Sequence, residues 1–272
     1  MGVNPISSDV YNFSAPLCSW KGVVCDTQKK YVIGLLASGL DLSSLIPEST
    51  IGNISVGILK CQNLVSVSIT SNQIIGTVPD GFSIAFPKLK NLDISRNAIQ
   101  GRQNQFHGHI SQVNANSSFN WSHLVYLDLT ENQLSGESFH DLNDAHNLKH
   151  LNLAHNRFSQ QEFPEISKLP SLEYLNLSRT SLIGKIPTEI SYLTSLSTLD
   201  LSEKHLTSRI PDLNVKNLHV LDLSLNNLTG QVPLPLLENL HQMYKFNFSF
   251  NNLIFCASQI TLETFQTAFV QS

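Results

Sequence analysis

The stretch Leu124 to Gly136 reads LVYLDLTENQLSG, and its frame returns as LKHLNLAHNRFSQ from Leu148, LEYLNLSRTSLIG from Leu172, LSTLDLSEKHLTS from Leu196 and LHVLDLSLNNLTG from Leu218. The interval is close to 24 residues. Earlier copies begin at Val32, Leu64 and Leu89, and a last one at Met243 reads MYKFNFSFNNLIF. In LxxLxL the alternating residues put Leu127 and Leu129 on one face of a short strand and Tyr126 and Asp128 on the other. One face is core and the other is water. A single copy cannot bury its own leucines, so neighbours stack and their strands form a parallel sheet lining the inside of a curved solenoid.

The Asn three residues past each strand can bond backbone groups that the turn leaves without partners, and stacked copies such as Asn132 above Asn156 would form a ladder. A buried polar group left unsatisfied costs about 1–3 kcal/mol, which explains Asn there. Thr180 and Lys204 stand where the ladder wants Asn. Thr180 is expected to keep one hydrogen bond and Lys204 to carry its ammonium outward along its apolar stem.

After the Asn come Gly and Ile/Val-Pro, as in GTVP from Gly76, GKIP from Gly184 and GQVP from Gly230. Together these segments resemble the plant-specific class of leucine-rich repeat, LxxLxxLxLxxNxLxGxIPxx. The resemblance implies that the I-P segment adds a second short strand. CSWKGVVC, Cys18 to Cys25, resembles the CxWxGVxC signature of the plant N-terminal cap. That resemblance implies a Cys18–Cys25 disulfide with Trp20 packed beneath the cap. FNFSFNNLIFCAS, Phe246 to Ser258, resembles the last repeat and C-terminal cap of plant receptor-like kinases, whose second cysteine has no counterpart between Cys256 and Ser272.

The expected fold is therefore an α/β repeat: a leucine-rich-repeat solenoid with a parallel β-sheet on the concave face, short 3-10 or irregular convex segments, and capped ends. The N-terminal cap is expected over residues 1–31, the solenoid of about nine repeats over 32–255, and a partial C-terminal cap over 256–272.

Two places break the period. Asn97, Ile99 and Gly101 are echoed by Asn104, Phe106 and Gly108, but no strand-like segment precedes the second copy. Between Thr50 and Leu64 the chain runs about eight residues beyond a normal repeat. The irregular segments 50–63 and 101–122 read either as joins in a shortened version of a longer receptor or as polar loops inserted into the stack.

A formal net charge of −4, without a polybasic block, argues against nucleic acid. No apolar run approaches the ~20 residues of a transmembrane helix, and MGVNPISSDV has neither the basic nor the apolar region of a secretory signal. The chain as it stands is thus expected to be soluble. Sequons at Asn12, Asn53, Asn116, Asn120, Asn176, Asn227 and Asn247 point instead to secretion and glycosylation. Cys61 and Cys256, at opposite ends of the array, are not expected to pair.

Such solenoids bind on their inward, solvent-facing positions. One column there runs Tyr126, His150, Tyr174 on three successive strands; a second runs Arg96, Glu131, His155, Arg179, Glu203. The column between them is short and polar throughout, from Asp93 to Asn247, and reads as local bonding. An aromatic stripe flanked by alternating charges suits an extended peptide or a partner's loop. It suits cross-strand stabilisation equally.

The sequence carries no Gly-rich phosphate loop, kinase HRD or DFG triplet, HExxH or GxSxG, and its histidines are scattered. Neither catalysis nor a metal or cofactor is expected. From Cys18 to about Ser258 the chain resembles the ectodomain of a plant leucine-rich-repeat receptor-like serine/threonine kinase. That implies sensing of a secreted peptide or protein ligand, with a co-receptor ectodomain completing the complex. The alternatives are a soluble apoplastic protein of the polygalacturonase-inhibitor type and a truncated gene product without its kinase.

Overall fold

The computed structural model describes residues 15–40, 60–76, 85–101, 121–136, 142, 144–160, 162–163, 165–213 and 215–255. Each LxxLxL frame forms a three- to five-residue strand, and these strands line up in chain order in one ten-stranded sheet. Val23–Cys25 starts the sheet antiparallel to Val32–Leu36. The rest is parallel: Ser66–Ser68, Asn91–Asp93, Tyr126–Asp128, His150–Asn152, Tyr174–Asn176, Thr198–Asp200, Val220–Asp222 and Lys245–Asn247.

Register follows the leucines. Leu127, Leu151, Leu175, Leu199 and Leu221 are directly paired and fully buried, with Leu129, Leu153, Leu177, Leu201 and Leu223 buried behind them. Burying each Leu side chain contributes about 1.5–3 kcal/mol, so the column drives stacking. On the convex side the chain returns through 3-10 turns such as Trp121–His123, Ile166–Lys168 and Thr188–Tyr192, which drop Trp121, Ile166 and Ile190 into the core. One short α-helix, Leu234–Asn239, follows Pro233.

From the repeat of Ser66–Ser68 onward a second strand does accompany each inner strand, but it lies just after the ladder position and ahead of the I-P pair, as in Ile183–Lys185 and Asn227–Gln231. Ile186 and Val232 then turn into the core. These strands form two four-stranded sheets, one ending at Arg157–Phe158 and the other beginning at Ile183–Lys185. The gap falls at Thr180, where the run of ladder Asn from Asn72 to Asn156 ends.

The ladder works as one side chain per repeat. Nδ2 of Asn132 donates to Leu129 O and Thr130 O of its own turn and to Ile94 O one repeat back, while its Oδ1 accepts the N–H of Ile99. Asn72, Asn97, Asn156, Asn226 and Asn251 do the same. Thr180 keeps one bond, Oγ1 donating to Leu177 O at 2.7 Å.

Lys204 departs from expectation. It is 5% exposed, and its Nζ donates backward to Leu177 O and Thr180 Oγ1. The carbonyl it reaches is the one a ladder Asn would take, so the pull of an unsatisfied carbonyl outweighs the pull of water on the ammonium. Burial lowers its pKa from 10.5 to about 7, with Asp200 acting weakly in the opposite sense.

At the N-terminal end Cys18 and Cys25 form a disulfide, their Cα atoms 5.7 Å apart. Trp20 is half-buried and donates from Nε1 to Ala15 O at 3.2 Å. Gly22, at φ +83°, brings its carbonyl to the N–H of Leu36 at 2.6 Å, and a Cβ there would lie 2.1 Å from Leu36 O. Only glycine fits this joint.

Both irregular segments leave the main sheet unbroken. Gly34 pairs with Ser66 across the first, and Asp93 with Asp128 across the second. Asn104, Phe106 and Gly108 lie outside the described residues, as does Cys256; Cys61 is a free, half-buried thiol packed against the core. No helix among the described residues is long and apolar enough to cross a membrane.

Candidate concave binding face

The strand spacing of about 4.8 Å would leave parallel rings slightly apart. Tyr126, His150 and Tyr174 lean together, with centroids 4.1 Å apart at both steps and interplanar angles of 9° and 11°. Both faces of the imidazole are therefore covered, and the column offers ring edges and phenol hydroxyls along the groove. His150 Nε2 is enclosed without a hydrogen bond, 3.8 Å from Asp128 Oδ2.

The stack roofs the middle column, and Asp128 beneath it is 8% exposed. Its Oδ1 accepts the Thr130 N–H at 2.9 Å and its Oδ2 accepts from Asn152 Nδ2 at 3.1 Å. The whole column shares this turn. Asp93, Asp200 and Asp222 each accept from both the N–H and the hydroxyl of the Ser two residues on, while Asn152, Asn176 and Asn247 accept only the N–H. Local bonding, the reading from sequence, describes it well.

Burial pushes the Tyr126 phenol up to about 12, helped by the carboxylates of Asp128 and Asp93. Burial also raises Tyr174, offset in part by its hydrogen bond with Asn176. Both phenols stay neutral. Asp93 and Asp200 are raised chiefly by burial, against their serine hydrogen bonds, and each is raised further by the neighbouring aspartate.

The second column is brought together in two pieces. Arg96 Nε lies 3.4 Å from Glu131 Oε1, and Arg179 Nε lies 2.6 Å from Glu203 Oε2; His155 is exposed between the pairs. Sequence gave no hint of its backbone. Ser71, Arg96, Glu131, His155, Arg179, Glu203, Leu225 and Phe250 all adopt φ between 50° and 55°. This left-handed residue lets the following side chain turn inward as a rung, and its own N–H reaches the next repeat, as Arg96 does to Thr130 O. None of the eight is Gly, Asn or Asp, so no residue type marked the turn.

Beside this column a shallow groove of about 620 Å³ runs along Gln73, Ile75, Arg96 and Glu131. The sequence reading also passed over the outermost column, where Lys149 pairs with Glu173 at 2.7 Å and His219 stacks on Tyr244 at 6.3 Å. Of the sequons, Asn227 is exposed on a lateral strand, whereas Asn176 and Asn247 are half-buried with Oδ1 engaged. Asn12, Asn53, Asn116 and Asn120 lie outside the described residues. Among the described residues no three His, Cys, Asp or Glu converge as metal ligands.

One inner strand per repeat, a polar ladder beneath it and a disulfide-closed cap define a leucine-rich-repeat solenoid. Leucine-rich-repeat family models match residues 123–145, 146–188 (two copies) and 217–240. The chain is homologous to plant leucine-rich-repeat receptor-like kinases. It is 42% identical, over 98% of its length, to a probably inactive leucine-rich repeat receptor-like protein kinase of Arabidopsis thaliana, and spans 47% of that relative.

Among solved structures, it matches the ectodomain of the Arabidopsis receptor kinase HAESA in complex with the peptide hormone IDA and the co-receptor SERK1. The TM-score is 0.72 at 28% identity, covering 91% of this chain and 43% of that one. It also matches the ectodomain of the Arabidopsis membrane receptor kinase GASSHO1/SCHENGEN3 in complex with CASPARIAN STRIP INTEGRITY FACTOR 2. There the TM-score is 0.66 at 26% identity, over 81% of this chain and 24% of that one.

Proposed function

We propose that this chain is the extracellular sensing portion of a plant leucine-rich-repeat receptor-like kinase, and that its concave face binds a secreted peptide or partner protein. The carrying observation is the Tyr126–His150–Tyr174 stack, an aromatic column at the centre of a sheet face that nothing else in the described chain covers. Arg96, Glu131, His155, Arg179 and Glu203 line its flank and supply polar contacts. The solved complexes of HAESA and GASSHO1/SCHENGEN3 support the reading, since both hold a named ligand and one a co-receptor.

A co-receptor ectodomain is the second partner expected of such a complex. The role is recognition rather than catalysis, in keeping with a relative described as a probably inactive kinase. The disulfide cap and exposed Asn227 suit an oxidising, glycosylating compartment.

The test is selection of binders from a displayed random-peptide library on the intact chain. Affinities are then measured with Tyr126→Ala, Tyr174→Ala and Arg179→Ala. Central anchors typically cost at least ~2 kcal/mol on truncation, about thirtyfold in affinity. Binders indifferent to all three variants would move the site off the stripe.

A further inference from the structure

The middle column of the concave sheet divides by charge. Asp93 and Asp128 are register neighbours, as are Asp200 and Asp222, and the two strands between them place Asn152 and Asn176. The aromatic stack stands above that uncharged interval and above Asp128 at its edge. From the middle of one aspartate pair to the middle of the other is four strand spacings, about 19 Å. An extended peptide covers that in about six residues.

The cations of this face do not neutralise the column. Arg96 is held by Glu131, Arg179 by Glu203 and Lys149 by Glu173, and no Lys or Arg forms an ion pair with these aspartates among the described residues. Lys204, the cation nearest Asp200, is buried beneath the sheet and turned toward Leu177 O. In Asp93, Asp200 and Asp222 the serine two residues on occupies Oδ1, and among the described residues no hydrogen bond engages Oδ2, whereas both oxygens of Asp128 accept, from the Thr130 N–H and from Asn152 Nδ2.

We infer that this sheet face docks an extended segment with two basic residues about six positions apart, one over Asp93, where buried Asp128 adds its charge from beneath the stack, and one at Asp200–Asp222. Its uncharged middle crosses the edges of Tyr126, His150 and Tyr174. The inference rests on the concave-face reading above and specifies its ligand class. Complementary charge sets register and speeds encounter, while the stack supplies contact area.

The probe is a synthetic ten-residue peptide of Ser, Thr and Val with Arg at its second and eighth positions. Controls place the two Arg side by side or replace both with Glu. The expected result is saturable binding of the spaced peptide that weakens with added salt, roughly fivefold weaker binding of the adjacent-Arg control, and none of the Glu control. Asp93→Asn, and separately Asp200→Asn with Asp222→Asn, should each weaken the spaced peptide roughly fivefold at unchanged melting temperature. Asn already makes the same turn at 152, 176 and 247, so these variants keep the fold.

Failure of the spaced peptide to bind, or binding indifferent to spacing and to the Asp→Asn variants, overturns the inference. If library-selected peptides still depend on Tyr126 and Tyr174 while lacking basic pairs, the concave reading survives and this refinement alone falls. If they ignore the stripe as well, both fall.

Discussion

Lys204 shows how a solenoid accommodates a residue that its ladder does not ask for. A ladder Asn both donates and accepts, whereas an ammonium only donates. Lys204 reaches Leu177 O but offers nothing to the N–H of the preceding repeat at Leu182, which an Asn here would receive. Its folded pKa of about 7 lies below its free value of 10.5, so the unfolded chain binds more protons between those values. Stability carries the full penalty of a buried charge below pH 7 and recovers as pH rises toward 10.5. Lys204→Asn should therefore stabilise the protein, with its advantage over wild type shrinking by about 2 kcal/mol between pH 7 and pH 9. Denaturant melts at the two pH values measure this; an advantage independent of pH would mean the ammonium is not buried in solution. The left-handed column gives a second test. Leu225, at φ 55° and exposed, occupies a conformation that disfavours its branched side chain. Leu225→Asn should raise stability by about 0.5–1 kcal/mol, read from the shift in melting temperature.

Among the elements, the ladder and the lateral sheets depend on each other. Asn156 donates to Leu129 O, Leu153 O and Ala154 O and accepts from Leu134 N, tying two turns together. Asn156→Ala strands several buried groups and should cost about 3 kcal/mol, against about 1 kcal/mol for Thr180→Ala, whose side chain makes one such donation. Comparable melting losses for the two would show that the rungs are not what secures the turns. The inner strands were legible because Leu at every second position has one physical meaning, and the rungs because only a short amide can both donate and accept there. The left-handed turns were not, since Arg, Glu and His at those positions carry no steric signature. The inward course of Lys204 was not legible either, because it depends on a carbonyl one repeat away. The aromatic column was visible as a column, but its closure into a face-to-face stack above Asp128 arises only when three strands pair in register. His150→Ala removes the ring shared by both contacts, so it should cost more stability than Tyr126→Ala or Tyr174→Ala, by about 1 kcal/mol in the same melts.

At the scale of the whole molecule each repeat touches mainly its neighbours, and this governs how damage spreads. The match to the Arabidopsis relative runs over 369 aligned positions, 97 more than the chain's 272 residues, so the relative carries stretches with no counterpart here. A sheet that passes from Gly34 to Ser66 and from Asp93 to Asp128 at ordinary register is what whole repeats removed from an array would leave, and equally what polar loops inserted between neighbours would leave, because each strand needs only a neighbour of the same kind. The same nearest-neighbour logic applies to the cap. The Cys18–Cys25 bond closes an eight-residue loop and should contribute about 2–3 kcal/mol on the chain-entropy model. That contribution acts on Val23–Cys25 and its antiparallel partner Val32–Leu36, which shield the open end of the first repeat. In Cys18→Ser with Cys25→Ser, hydrogen exchange should therefore accelerate most in residues 23–36, less at 66–68, and not measurably at 198–222. Fraying spreads from an uncapped end and decays with each interface it must open. Uniform acceleration along the chain would instead mean that the array unfolds as one cooperative unit, with the cap contributing to every repeat equally.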